Sequence, residues 1–255
     1  MVTASLMGGL GNYMFQISTA FSLSIDNEDK CVFGINDIFS PHKNISSYEG
    51  NILRNITFSN NVSSNTTYRE STFHYNEIPY STQLKLSGYF QSEKYFTHNR
   101  DNIISLFSID DVSLDIITSK YGKLLSGTTC SIHVRRGDYL KLPNQHPVCK
   151  LDYYSESINL IGDGVNFLVF SDDISWCKEN FKGDRFTFIE DNKDYIDMWL
   201  MSLCDHNIIA NSSFSWWGAW LNTNPDKIII YPNNWFGSNL PHNTKDLTPK
   251  KWIKL

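Results

Sequence analysis

The chain reads as an α/β protein of two modest domains, the second of them a doubly wound parallel sheet. Three observations lead there. Apolar runs of strand length alternate with segments of helical period through the second half, clusters of arginine, carboxylate and serine directly follow those runs, and 255 residues suffice for two cores.

Val2 to Leu6 is a short apolar run that stops at Gly8-Gly9. Met14, Phe15, Ile17, Ala20, Phe21 and Leu23 then recur at near-helical spacing, so the opening reads as strand, glycine turn and helix. From about Asn36 to Ser81 the chain is crowded with Asn, Ser and Thr and broken by Pro41 and Pro79, and regular structure is expected to be sparse. A strand follows at Leu84 to Phe90 and a helix at Arg100 to Phe107. Gly122 and Gly127 give Tyr121 to Thr128 turn chemistry, which places the boundary between domains 1–125 and 126–255.

Beyond that boundary strands are predicted at Cys130 to Val134, Phe167 to Ser171, Phe186 to Ile189, Asn207 to Ala210 and Ile228 to Tyr231. Helices are predicted between them at Leu151 to Leu160, Trp176 to Phe181, Ile196 to Cys204 and Trp216 to Leu221. Sheets of this kind take ligands at the carboxyl ends of their strands, so residues just after each run are the first candidates for a site.

Composition narrows the function. Hydrophobic residues at 41% and charged residues at 19% describe a folded protein. A net charge of −5 and a pI near 5.8 leave no sustained positive field for a nucleic-acid backbone, whereas a small dianion needs only a cation or two and some backbone N–H groups. The five cysteines show no C-x-x-C pair and read as reduced, buried thiols with no zinc site among them. No basic leader with an apolar stretch and no run of ~20 apolar residues is present, so a cytoplasmic location without a transmembrane segment is expected.

Four segments carry chemistry. In Ser131-Ile-His-Val-Arg-Arg-Gly-Asp-Tyr139, strand alternation sends His133 and Arg135 to one face and Arg136 to the other. Arg135 can grip a phosphate in fork geometry while Arg136 pairs with a carboxylate that fixes the loop, Asp138 being the candidate. A surface ion-pair cluster accounts for the same residues. His133 shares the face of Arg135 and can touch a nucleotide or serve as a buried structural histidine.

In Phe170-Ser-Asp-Asp-Ile174, Asp172 or Asp173 can accept from the paired donors of guanine or cap the next helix. In Ala210-Asn-Ser-Ser-Phe-Ser-Trp-Trp-Gly-Ala219, small hydroxyl residues between strand and helix suit an anion at the positive end of a helix dipole, and equally suit plain capping. In Met7-Gly-Gly-Leu-Gly-Asn-Tyr-Met-Phe-Gln16, Met14 stands where a dinucleotide loop needs its third glycine. Gly9 and Gly11 can instead admit a ligand close to the backbone, leaving Asn12 free to hydrogen-bond.

Taken together, Gly8-Gly-Leu-Gly-Asn12 with Met14-Phe-Gln16, His133-Val-Arg-Arg-Gly-Asp-Tyr139, Ser171-Asp-Asp173 and Asn211-Ser-Ser-Phe-Ser-Trp-Trp217 resemble the motifs of the α-1,2-fucosyltransferase family. More distantly they are similar to the α-1,6- and protein O-fucosyltransferases. Gly88-Tyr-Phe-Gln91, Tyr95-Phe96, Val148-Cys149 and Asp152-Tyr-Tyr154 are similar too, while Tyr13 departs from the family's usual Gln.

The resemblance implies a GT-B architecture, two Rossmann-like domains facing across a cleft, with an acceptor-side first domain and a second domain that binds a GDP-sugar. It implies inverting transfer of L-fucose from GDP-β-L-fucose to a glycan hydroxyl such as the 2-OH of galactose, with no cofactor beyond the donor and no obligatory metal. Arg135 is then expected on the β-phosphate, His133 with Asp172 or Asp173 on the guanosine, Asn211, Ser212, Ser213, Phe214 and Ser215 around phosphate oxygens, and Gly9, Gly11 and Asn12 toward the donor. Asp138 and His146 are candidates for a base on proximity in sequence.

Overall fold

The computed structural model describes residues 1–39 and 45–255. Pro41, one of the prolines expected to break the second segment, lies outside them. The chain divides into two compact units, the first made of Met1–Asp110 with His242–Pro249 and the second of Asp111–Pro241 with Lys250–Leu255.

In the first unit β1 (Val2–Ala4) and β2 (Leu6–Met7) lead into α1 (Leu10–Asp26). They are followed by β3 (Phe33–Gly34), β4 (Ile38–Phe39), α2 (Ser46–Glu49), β5 (Phe58–Ser59), β6 (Thr66–Arg69), β7 (Leu84–Ser87) and α3 (Arg100–Leu106). A parallel sheet runs in the order β1-β7-β6, and β2 with β4 and β3 with β5 form parallel pairs. Val2 faces Leu84 and Ala4 faces Leu86, all buried, so register follows from the apolar positions.

The helix α1 is buried nearly all round through Tyr13, Met14, Phe15, Ile17 and Ala20. Gln16 ties it to the end of β2, accepting from Met7 N–H at 2.9 Å and donating to Met7 O at 3.3 Å. Parallel pairing gathers the carboxyl ends of β6 and β7 at one edge, where Glu70 and Gly88–Gln91 follow. The chain after β1 runs along β7, Ser5 N–H donating to Leu86 O at 2.9 Å, and reaches the turn at Gly8 beside them. Gly8 takes a left-handed φ of +88°, and a Cβ there would fall 2.3 Å from Asn12 Nδ2.

The returning segment His242–Pro249 is fastened to this unit through buried Asp246. Its carboxylate accepts from Lys94 Nζ at 2.5 Å and Tyr75 N–H at 3.2 Å, and its carbonyl accepts from Ser92 Oγ at 2.6 Å.

The second unit opens with α4 (Asp111–Leu125). It continues through β8 (Thr129–Val134), α5 (Leu151–Ile161), β9 (Asn166–Ser171), α6 (Ile174–Asn180), β10 (Phe186–Phe188), α7 (Asp194–Ser202), β11 (His206–Ile208), α8 (Ser213–Leu221), β12 (Ile229–Tyr231) and β13 (Ile253–Lys254). Its six strands are all parallel, in the order β10-β9-β8-β11-β12-β13. Counted along this unit the order is 3-2-1-4-5-6, the doubly wound nucleotide-binding arrangement, and its direction reverses between β8 and β11. Ile132 lies between Val169 on one side and Ile208 on the other, and every residue of β8 is buried, as a central strand covered on both faces requires. Trp216, Trp217 and Trp220 of α8 are buried as well.

The structure departs from or adds to the sequence pattern at three points. Gly122 lies inside α4, not in a turn. The space around a Cβ there is open, so the helix bears only the ~1 kcal/mol propensity cost of an interior glycine. Residues Ile117 and Tyr121 of that helix are buried, and Tyr121 exchanges hydrogen bonds with Asn192. The break between units accordingly falls after Asp110, not after Leu125, and His242–Pro249 belongs with the first unit. The polar stretch before Ser81 supplies β6, and the C-terminus supplies β13, strands that the sequence patterning did not indicate.

Candidate functional site

The ends of β8 and β11 flank the reversal point of the second sheet, where a crevice opens in folds of this order. In the second unit the residues marked by sequence sit at the ends of β8 and β11 and of β9 beside β8. After β8, Arg135 Nη1 meets Asp172 Oδ2 at 2.8 Å and Arg135 Nη2 meets Asp138 Oδ1 at 2.5 Å. Asp172 also accepts from Arg136 N–H at 2.9 Å, so one carboxylate binds both consecutive residues of the strand end. Gly137 makes this possible, because a Cβ there would stand 2.5 Å from Asp172 Oδ2.

Arg136 turns to the opposite side, as strand alternation requires. Its partner is Asp173, 2.9 Å from Nε, and its guanidinium lies 4.2 Å from the ring centre of Trp176. The expected Arg136–Asp138 pair is therefore replaced. Asp138 sits one turn on from Arg135 and reaches that arginine, while Asp173 caps α6, accepting from Trp176 N–H at 3.2 Å. The Arg136 hydrogen bond holds the Asp173 carboxyl below its ordinary range.

Tyr139 joins the two strand ends. Arg135 lies 5.3 Å over its ring, and its hydroxyl donates to Asn211 O, after β11, at 3.0 Å. His146 stacks on the Tyr139 ring with ring centres 4.8 Å apart and has Phe236 at 6.0 Å. Burial pushes the His146 imidazole below its ordinary value and that of Tyr139 upward. Tyr139 is a site residue that no motif role marks; its signal in the sequence is an aromatic ring three residues beyond an arginine pair at a strand end.

His133 is buried, its ring 5.6 Å from Phe214, and its Nδ1 has no hydrogen-bond partner among the described residues. Burial, with Arg135 nearby, pushes its pKa down to about 3, so it is neutral at physiological pH. The strand ends under it are held by α5, whose Tyr154 hydroxyl donates to His133 O at 3.2 Å and whose Tyr153 hydroxyl donates to Ile209 O at 2.6 Å and Ile230 O at 3.1 Å.

At the start of α8, Ser212 is the N-cap and accepts from Phe214 N–H at 3.3 Å. Ser213 and Phe214 are half-buried. Ser215 is buried, its hydroxyl directed back to Ala210 O and Ser212 O. Asn211 is buried, its amide donating to Pro147 O at 2.9 Å and Trp235 O at 3.0 Å, which makes it an anchor for two neighbouring loops.

The second unit thus connects Arg135, Asp138, Tyr139, His146, Asp172 and Asn211 through direct contacts, and His133 with Phe214. Gly9, Gly11 and Asn12 belong to the first unit. Gly9 is the exposed N-cap of α1, Gly11 is buried within that helix, and Asn12 Oδ1 accepts from Gln91 Nε2 at 2.8 Å. A cationic fork after one strand and a helix N-terminus after the adjacent strand supply a chemistry for a diphosphate. Among the described residues no three His, Cys, Asp or Glu side chains gather as a metal-ligand set, and no helix is long and apolar enough to cross a membrane. The five cysteines are free, and Cys130, Cys149, Cys177 and Cys204 are buried.

The family model for glycosyl transferase family 11 matches residues 1–255. The chain belongs to glycosyltransferase family 11. Among its relatives, this transferase is 32% identical to an α-1,2-colitosyltransferase of Escherichia coli, in an alignment covering all of this chain and 98% of that one. It is 40% identical to the O-antigen biosynthesis glycosyltransferase WbnK of Escherichia coli over 67% of this chain, an alignment that spans 60% of that protein's length. It is 32% identical to the galactoside α-(1,2)-fucosyltransferase 1 of Homo sapiens over 54% of this chain and 43% of that one. Its fold is similar to that of the fucosyltransferase NodZ from Bradyrhizobium, with a TM-score of 0.57, 12% identity, and coverage of 85% of this chain and 90% of that one. A NodZ α-1,6-fucosyltransferase crystal soaked with GDP-fucose gives the same TM-score of 0.57.

Proposed function

We propose that this family 11 enzyme transfers L-fucose, with inversion, from GDP-β-L-fucose to the 2-hydroxyl of a terminal galactose on a glycan acceptor. The observation that carries the reading is that the Arg135 fork follows β8 and the hydroxyl-rich start of α8 follows β11, the two strands that flank the reversal point of a 3-2-1-4-5-6 sheet. In this reading the two units are the halves of a GT-B transferase, the donor lies on the second, and Gly9, Gly11 and Asn12 serve it from the first.

Chemistry assigns the roles. As the bond from the fucosyl carbon to GDP breaks, negative charge grows on the β-phosphate. A guanidinium already held in place by Asp138 and Asp172 stabilises that charge without reorganising. The backbone N–H of Ser213 meets another phosphate oxygen, that of Phe214 being taken by the Ser212 hydroxyl. Neutral His133, its Nδ1 still able to bond, and the Phe214 ring face the guanosine. Asp172 spends two of roughly four lone-pair positions on Arg135 and Arg136 and keeps capacity for the guanine N–H donors. His146, whose pKa burial lowers, and Asp138 are the candidates to take the acceptor's proton.

The test is transfer itself. The enzyme is incubated with GDP-fucose and a panel of β-galactosides, and the new linkage is mapped by NMR. Calorimetry with GDP, UDP and ADP runs alongside. Transfer to the galactose 2-hydroxyl with preference for GDP is expected, and UDP or ADP binding as tightly as GDP overturns the donor assignment. The full-length match to a colitosyltransferase favours one second reading, a colitosyl donor at the same site, and direct competition between the two donors decides it.

A further inference from the structure

The Gly88-Tyr-Phe-Gln91 segment is absorbed by no part of the donor site, yet the fold invests in holding it. Glu70, directly after β6, turns its carboxylate onto two consecutive backbone N–H groups of this loop, Tyr89 at 2.7 Å and Phe90 at 3.0 Å. Burial raises the Glu70 carboxyl, and those two N–H bonds act against the rise. Gly88 lets the carboxylate approach, since a Cβ there would stand 2.3 Å from Glu70 Cβ.

Phe90 is held at a φ of +52°, a left-handed conformation that non-glycine residues seldom adopt and that surrounding structure must enforce. Enforcement comes from its fully buried ring, edge-on to Tyr95 at 5.5 Å and 6.3 Å from Tyr68. The reversal at Phe90 leaves its neighbour Tyr89 40% exposed, and sends Gln91 to Asn12 at 2.8 Å. A second exposed aromatic, Phe39 at the end of β4, lies at the Gly8 turn, its carbonyl accepting from Gly8 N–H at 3.4 Å.

From this geometry we infer that Tyr89 is the stacking platform for the acceptor's terminal galactose, and that Glu70 is the positioning residue that fixes the platform relative to Asn12. The inference rests on the galactoside-acceptor reading above. The apolar C–H face of a galactopyranose suits an aromatic ring, and a ring held through backbone bonds at both sides loses little freedom on binding. Of this loop it is Gln91 that bonds Asn12, on the donor side, while the exposed Tyr89 ring is the part left for the acceptor.

The experiment uses the full chain with GDP-fucose and methyl β-galactoside. Initial rates give donor and acceptor KM, acceptor-independent GDP release reports the donor half, and thermal midpoints report folding. Tyr89→Ala is expected to raise acceptor KM ~10-fold while leaving donor KM, GDP affinity and GDP release unchanged, and Tyr89→Trp to restore it. Glu70→Gln, which can accept from only one of the two N–H groups, shifts acceptor KM in the same direction with GDP release intact. An acceptor KM within two-fold of the parent in Tyr89→Ala, or a donor KM that rises in parallel, overturns the inference while leaving the transfer reading standing. Absence of transfer by the unmodified enzyme overturns that reading and this inference with it.

Discussion

Replacing Arg135 with alanine separates chemistry from stability. Arg135 is 34% exposed and its partners Asp138 and Asp172 are 54% and 25% exposed, so both ion pairs are of the solvent-screened kind. Such pairs contribute about 0.2 to 1 kcal/mol each, and losing both costs the fold less than ~2 kcal/mol. The loss to catalysis is larger. A preorganised donor on a developing oxyanion is worth about 3 to 4 kcal/mol, a kcat lowered 10²- to 10³-fold.

Donor binding suffers too. Arg135 and Arg136 face Asp138, Asp172 and Asp173, a cluster with one negative charge in excess, and the variant doubles that excess beside an anionic donor. We therefore expect Arg135→Ala to be folded by circular dichroism, to lose only a few degrees in Tm, to show a raised donor KM and to be nearly inactive at saturating donor. Arg135→Lys falls between, because an ammonium replaces the charge but not the fork. The assay is GDP release coupled to acceptor fucosylation. A kcat for Arg135→Ala within five-fold of the parent refutes the placement of the leaving phosphate.

Three further outcomes follow from the same geometry. Gly137→Ala puts a Cβ 2.5 Å from Asp172 Oδ2, displaces that carboxylate from Arg135, and should lower kcat/KM about 10- to 100-fold with a stability loss of roughly 1 to 3 kcal/mol, read from steady-state kinetics and urea unfolding. His133, with a folded pKa of about 3 against ~6.5 unfolded, binds its proton more readily in the unfolded chain. Stability should therefore be indifferent to it above pH ~7 and fall by up to about 1 kcal/mol per unit as pH drops through that window, and urea midpoints of His133→Gln should show a shallower acid slope. Asp197 has the opposite sign. Burial first, then Asp194, raises it to about 6 against the bonds from Asn192 and the charge of Lys120, so it destabilises as pH rises from ~4 through 6, and Asp197→Asn should gain stability at pH 8 and little at pH 4 in the same titration.

The sequence made the second unit more legible than the first. Phe167 to Phe170 is a continuous apolar run because its strand is buried on both sides, and Cys130 to Val134 is buried throughout although Ser131 and His133 interrupt it. The clusters after those runs lie at carboxyl edges because every strand points the same way. Partnerships were less legible. The pairing of Arg136 with Asp173 depends on β8 lying beside β9, a relation between residues distant in sequence, and the pairing of Arg135 with Asp138 depends on how the chain turns at Gly137. In the first unit β6 reads as Thr66-Thr-Tyr-Arg69, a largely exposed edge strand without an apolar face to announce it. Glu70 carried no motif at all; only the left-handed backbone of Phe90 and the closeness of Gly88 disclose what it does.

The path of the chain near its end bears on anyone who would cut or recombine this enzyme. Since polypeptide passes from one unit to the other after Asp110, again after Pro241, and back after Pro249, an exchange of halves with a relative needs three joints, and a single splice strands the Asp246 anchor on the wrong parent. Removing residues 241–255 would strip a fastening from one unit and an outer strand from the other.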